Sequence, residues 1–197
     1  MKNEQLDQLL YEALETEMGG VQVYKTAIRC AVNEDLKEEW EEYLEQTQKH
    51  EQIVRELLGK FSLDPDTDTP GRKIVRHIGQ SLVKAMEMAL ESGKPEAAQI
   101  VAAECVVEAE TKDHSNWELI AQVGEKTKGE DGKTLKEAYE QVEEEEDEHL
   151  YHNTGWAREL WIESLGLPAV IPPPEEEKDV KTAIGAARAN QSRKEML

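Results

Sequence analysis

The sequence predicts an all-α protein built as a four-helix bundle with one long crossover, and three observations predict it. Apolar residues recur at steps of three and four through four long stretches, which sets them on one face of a helix. The stretches pair off in order, first with second and third with fourth, around a long middle segment. Finally, Glu, Ala, Leu and Lys crowd the chain while aromatic residues make up only 5%, a composition that excludes an all-β sandwich. At 197 residues and 22.3 kDa the chain suits one domain with an appendage.

Helix A is expected over about residues 4–32, with Leu6, Leu10, Ala13, Leu14, Val21, Tyr24 and Ile28 on its inner face. Asn33, followed by Glu34 and Asp35, offers a cap and an acidic first turn for helix B, whose stripe is Leu36, Trp40, Tyr43, Leu44, Val54 and Leu58. So short a connection makes the two an antiparallel hairpin. Residues 59–94 form the crossover: a turn-rich run from Asp64 to Gly71, then a helical pattern through Ile74, Val75, Ile78, Leu82, Met86 and Ala89. Helix C starts at Pro95 and runs to about Val123 with Ala97, Ile100, Val101, Val107 and Leu119 on one side. A polar run from Gly124 to Gly132 breaks the pattern. Helix D is expected to be continuous through Leu135, Tyr139, Val142, Leu150, Ala157, Leu160 and Trp161, with Gly166 at its C-cap.

The sequence thus divides into a helical domain, residues 1–166, and a tail, residues 167–197. In the tail, Pro168 and Pro172 to Pro174 favour an extended spacer, and Val180, Ala183, Ile184 and Ala187 have the spacing of one short amphipathic helix. That face is too small to fold alone, so it is expected to dock on the bundle or on a neighbouring subunit of a homo-oligomer.

The formal net charge of −20 opposes binding to nucleic acid or to an anionic membrane surface. The tail carries five acidic and five basic residues, so the acidic excess resides in the helical domain. No stretch approaches the roughly 18 apolar residues of a membrane span. The polar N-terminus has no signal-peptide core, and two cysteines, Cys30 and Cys105, make no disulfide or zinc framework. A cytoplasmic protein is the expectation.

The chemistry is carried by polar residues that interrupt apolar stripes, because an isolated ionised group in a bundle interior costs several kcal/mol. Glu17 sits at the centre of helix A's stripe, within about 20° of Leu10, Tyr24 and Ile28. The adjacent Gly19 and Gly20 weaken the helix and are usually kept for close approach of another group. Glu104 takes the equivalent place among Ala97, Ile100, Val101 and Val107, with Glu108 about 40° from it. Glu146 lies among Leu135, Tyr139, Val142, Leu150 and Leu160, and His149 projects from the same face three residues on. In helix B the stripe contains Thr47, His50 and Glu51. Several carboxylates in a low-dielectric core repel one another, and bound cations offset that repulsion. Glutamate oxygens with histidine nitrogens suit iron or manganese.

These features resemble the ferritin-like superfamily, which includes bacterioferritins and rubrerythrins. The resemblance covers residues 4–165 as architecture and Glu17, His50, Glu104, Glu146 and His149 as motif residues. It implies a bundle core in which two helices each supply a Glu and two each supply Glu-x-x-His, together holding two metal ions. It further implies a di-iron or manganese centre that activates O2 or a peroxide while oxidising Fe(II) or an organic substrate, with Glu17, Glu104 and Glu146 as terminal or bridging carboxylates and His50 and His149 as nitrogen ligands. One departure stands out: helix B reads Thr47-Gln48-Lys49-His50, with threonine where the family has glutamate. Either the second metal position is incomplete, or Glu51 or Glu108 replaces the missing carboxylate.

Glu110, Asp113 and His114 form a compact polar group at about 80° or more from Glu104, and are read as a solvated face, with a role in supporting the ligands or on an entry path to the site as the alternative. His77 and His152 read as surface or boundary residues, Cys105 as a buried structural thiol, and the four tryptophans as packing residues. Tyr24 and Tyr43 lie on the metal-facing stripes, where packing or electron transfer are both open to them. Beside the oxidase reading stands a non-enzymatic one, a degenerate helical module that binds a protein partner, which Thr47 favours. A hemerythrin-like oxygen carrier fits less well, because that chemistry wants mainly histidine ligands and helix A has none.

Overall fold

The computed structural model describes residues 4–167, and among them the chain is helical throughout, without a strand. In order, the helices are α1 (Glu4–Cys30), α2 (Glu34–Lys60), α3 (Pro70–Glu91), α4 (Pro95–Lys126), α5 (Glu130–Tyr139) and α6 (Glu143–Ser164). The tail with its Val180, Ala183, Ile184 and Ala187 lies outside the described residues. Among the described residues, no helix is long and apolar enough to cross a membrane.

The starts and stops follow from local chemistry. The Asn33 side chain accepts a hydrogen bond from the Leu36 N–H, capping α2 as expected. Gln99 closes the α1–α2 corner from α4, its Oε1 accepting the N–H groups of Val32 and Asn33, both at 2.6 Å. Thr69 caps α3 ahead of Pro70, and Pro95 opens α4 without an N–H to leave unpaired. Gly166 holds a positive φ of 66° just past α6, as a helix C-terminus favours.

Helix D is two helices, not one. Glu140, Gln141 and Val142 turn between α5 and α6, so that Glu143 to Glu146 open α6 instead of running through a helix interior. Four consecutive glutamates repel one another in mid-helix but are favoured in a first turn, where free N–H groups present positive potential. The inward phase survives the break, because Leu135, Val142 and Glu146 are all buried.

α1 and α4 lie at the centre. α1 packs on α2, α3 and α4; α4 packs on α1, α3, α5 and α6; α2 meets α5 and α6 across the interior. The apolar core divides into two clusters. One gathers Tyr24, Ala27, Leu36, Trp40, Met86, Ala102, Val106 and Leu160, and the other Leu10, Leu14, Val54, Leu58, Trp117, Ile120 and Leu135. On each of α1, α2 and α4 the two sets are separated by a short stretch of sequence, and most of the buried polar residues of these helices lie in that gap.

The crossover helix α3 is held by charge as well as by Val75 and Met86. Glu15 of α1, buried on the side facing α3, accepts from Arg72 Nε at 2.8 Å and from Arg76 Nε at 2.7 Å. Arg72, only 4% exposed, also donates to the carbonyls of Pro65 and Thr67, tying down the turn-rich run before α3. Burial works to raise the Glu15 pKa, but the hydrogen bonds and charges of Arg76 and Arg72 outweigh it and hold the carboxyl below its usual range. Glu15→Ala is expected to destabilise the protein by about 3 kcal/mol, since it leaves a buried guanidinium without its counter-charge. Chemical denaturation measures this, and a loss below about 1 kcal/mol would show that the pair is solvent-screened.

Candidate metal centre

Four of the sequence-predicted residues meet between the two apolar clusters. Glu17, His50, Glu146 and His149 come from α1, α2 and α6, and none is more than 1% exposed. Their ligand atoms form two groups that share Glu146. One atom each of His50, Glu146 and His149 lies within 4.8 Å of the others, and so does one atom each of Glu17, Asp113 and Glu146.

The contribution of α4 corrects the sequence reading. Glu104 and Glu108 are exposed, and Glu104 accepts a hydrogen bond from Trp161 Nε1 at 2.8 Å, fastening the far end of α6 to α4. Glu110 and Asp113, expected on a solvated face, are the buried pair at 3% and 4% exposure. The misreading has a physical cause. Because α4 packs against four neighbours, its apolar residues fall on several faces, and the bulkier Ile100, Val107 and Leu119 pull the apparent stripe away from the true inward line. That line runs through Ala98, Ala102, Val106, Glu110, Asp113, Trp117 and Ile120, all buried and at helical spacing. Glu51 does not fill the gap left by Thr47 either: it is partly exposed and paired with Arg55 Nη2 at 2.7 Å. Thr47 is buried, its hydroxyl bonded to the Tyr43 carbonyl and its methyl beside Gly20, where an added Cβ would come within 3.2 Å. The close approach expected at the glycine pair is therefore that of α2.

Each histidine is fixed at its outer nitrogen. His50 Nε2 lies 2.7 Å from Glu145 Oε2, and His149 Nε2 lies 2.7 Å from Gln46 Oε1. An ionised carboxylate and an amide oxygen only accept, so both Nε2 atoms carry the hydrogen, and in the neutral rings the lone pairs sit on Nδ1. Those Nδ1 atoms point at carboxylates: His50 Nδ1 is 2.8 Å from Glu146 Oε1, and His149 Nδ1 is 3.5 Å from Glu110 Oε2. Tyr43 packs against His149 at 4.3 Å between ring centroids, and Tyr24 lies edge-on at 6.1 Å. Trp117 does more than pack: its Nε1–H donates to Glu17 Oε1 at 2.8 Å. Two of the histidines outside the centre form half-buried pairs, His114 with Asp147 and His152 with Glu39 and Tyr43, and the third, His77, is exposed.

Several atoms facing the interior are left over. Glu17 Oε2, His50 Nδ1, Glu110 Oε2, Asp113 Oδ1 and both Glu146 oxygens are fully buried without an aligned hydrogen-bond partner. Unsatisfied buried polar atoms are rare because each costs about 1–3 kcal/mol or more, so six of them converging from four helices mark a place shaped for a ligand. Four carboxylates with two imidazoles are oxygen and nitrogen donors of the kind that can hold first-row metal ions. Among the residues that sequence reasoning missed, Glu110 and Asp113 carried one usable signal. Their i,i+3 spacing copies that of Glu146 and His149, and Trp117 continues the same face.

No known protein family, curated protein or solved structure matches the chain. The case for a metal centre therefore rests on the chemistry of these residues.

Electrostatics sharpen that case. Burial, then the charge of Glu110, pushes the Glu146 carboxyl up to about 8, with His149 pulling the other way. Burial and the charges of neighbouring carboxylates likewise raise Glu17 and Asp113 well above the usual range. An acid whose folded pKa exceeds its unfolded value stabilises the fold while protonated, and that stability is lost as pH rises through the folded value. Glu15 and Glu39 are shifted downward, so their contribution is complete before this window opens. The metal-free protein is expected to lose thermal stability between about pH 5 and about pH 8, and Glu146→Gln to flatten that slope. Calorimetry across the range decides it, and an unchanged slope in the variant would remove Glu146 as its source.

Proposed function

We propose that this chain is a ferritin-like four-helix metalloprotein that holds a pair of metal ions, iron first and manganese next, and oxidises Fe(II) or an organic substrate with O2 or a peroxide. In this reading α1, α2, α4 and the α5–α6 pair are the four bundle helices, and α3 is the crossover. The observation that carries it is the set of six buried ligand groups, Glu17, His50, Glu110, Asp113, Glu146 and His149, of which all but His149 leave an interior atom without a hydrogen-bond partner. Such an ion pair supplies Lewis acidity and one-electron redox change to a bound oxidant.

The chain's own residues have separable roles. Glu110 and Asp113 bring the carboxylates that Thr47 does not, so four negative charges face the four positive charges of two divalent ions. His50 and His149 offer Nδ1 lone pairs, oriented by Glu145 and Gln46 in the way that outer hydrogen bonds fix a ligating imidazole. The two apolar clusters close the centre from either end and keep water from competing for the ions. Glu145, with about a third of its side chain exposed, reaches from the surface to His50.

Protein purified without a chelator is expected to retain about two ions per chain, and the metal-free protein to develop ultraviolet and visible absorption on aerobic addition of Fe(II). Asp113→Asn should lower the metal content while preserving helicity, and Glu104→Ala should leave both unchanged. Elemental analysis measures the content. A metal-free protein that ignores Fe(II) would instead favour a helical module that binds a protein partner.

A further inference from the structure

The two groups that share Glu146 are not chemically alike. His50, His149 and Glu146, with Glu110 Oε2 3.5 Å from His149 Nδ1, bring both imidazoles to one side. Glu17, Asp113 and Glu146 offer oxygen alone. We infer that the centre has two positions of unequal hardness, a histidine-bearing one that selects a borderline first-row ion such as Fe(II) or Co(II), and an all-oxygen one that takes a hard divalent ion such as Mn(II) or Mg(II). The inference rests on the metal-binding reading above and adds an order of preference to it.

Three features build the difference. Both imidazoles are fixed by acceptors on their outer nitrogens, and a ligand atom of each lies within 4.8 Å of the other and of Glu146. On the other side, Trp117 Nε1–H donates to Glu17 Oε1, while Glu17 Oε2 and Asp113 Oδ1 are left without a hydrogen-bond partner. Thr47 is turned to the Tyr43 carbonyl, and Asn116 Nδ2 donates to Thr16 Oγ1 at 3.0 Å. Charge divides unevenly between the positions, with two carboxylates facing the histidine side and three the oxygen side. Glu110 serves the histidine side, Glu17 and Asp113 the oxygen side, and Glu146 both.

Nitrogen donors strengthen the rise in affinity from Mn(II) toward Co(II), whereas carboxylates alone suit Mn(II) and Mg(II). Mixed loading should therefore be ordered. In an anaerobic titration of the metal-free full-length chain, about one equivalent of Co(II) should bind first with the visible spectrum of a nitrogen-ligated ion. About one equivalent of Mn(II), followed by electron paramagnetic resonance, should then add without displacing it. His149→Gln should weaken Co(II) at least about tenfold and leave Mn(II) little changed, and Asp113→Asn should do the reverse. Circular dichroism establishes that each variant is folded, and the wild-type competition needs no variant at all. If Co(II) displaces Mn(II) one for one, or if each variant loses both metals equally, the two positions are equivalent and the inference falls while the metal centre stands. If neither ion binds the wild-type chain, the metal-binding reading falls with it.

Discussion

Like charges buried together are the constraint on which the rest of the structure depends. Glu17, Glu110, Asp113 and Glu146 lie within one layer, all but fully withdrawn from solvent, and burial together with the charges of neighbouring carboxylates raises the pKa of Glu17, Asp113 and Glu146. A fold tolerates such a layer only if the helices carrying it are held by something else. The two apolar clusters, one on either side, supply that support, so the backbone need not collapse onto the carboxylates to bury area. The layer is in effect suspended between two independent cores.

The break between α5 and α6 belongs to the same economy of charge. Had the chain run on as one helix, Glu146 would sit in mid-helix beside three more glutamates, with no positive potential from the backbone. Beginning α6 at Glu143 sets all four in its first turn and lets Glu145 and Glu146 both reach the His50 ring, one at each nitrogen. A three-residue turn thus supplies a ligand and the group that orients its neighbour.

How much of this was legible depended on the helix. On α1 and α2 the inner faces are made of large aliphatic and aromatic residues, so a glutamate or histidine among them stands out, and Glu17 and His50 were read in place. On α4 the inner face is alanine, valine and polar residues while larger side chains lie elsewhere, and the face was misassigned by enough to exchange Glu110 and Asp113 for Glu104 and Glu108. Periodicity reports where bulk lies; where small residues make the interface, bulk and burial part company. The α5–α6 turn escaped notice for a related reason, since Val142 keeps the inward phase through the break. Glu145 and Gln46 were beyond reach, because a hydrogen bond across two helices leaves no trace in the spacing of either.

The Glu15 clamp has a meaning for the centre that its energy does not express. Glu15 and Glu17 are two residues apart on α1 and therefore project about 200° from each other, one toward α3 and the other into the carboxylate layer. Arg72 and Arg76 grip Glu15 from one direction and from a separate element. The crossover thereby acts as a rotational stop, setting the azimuth of α1, and with it the aim of Glu17, from the opposite side of the helix.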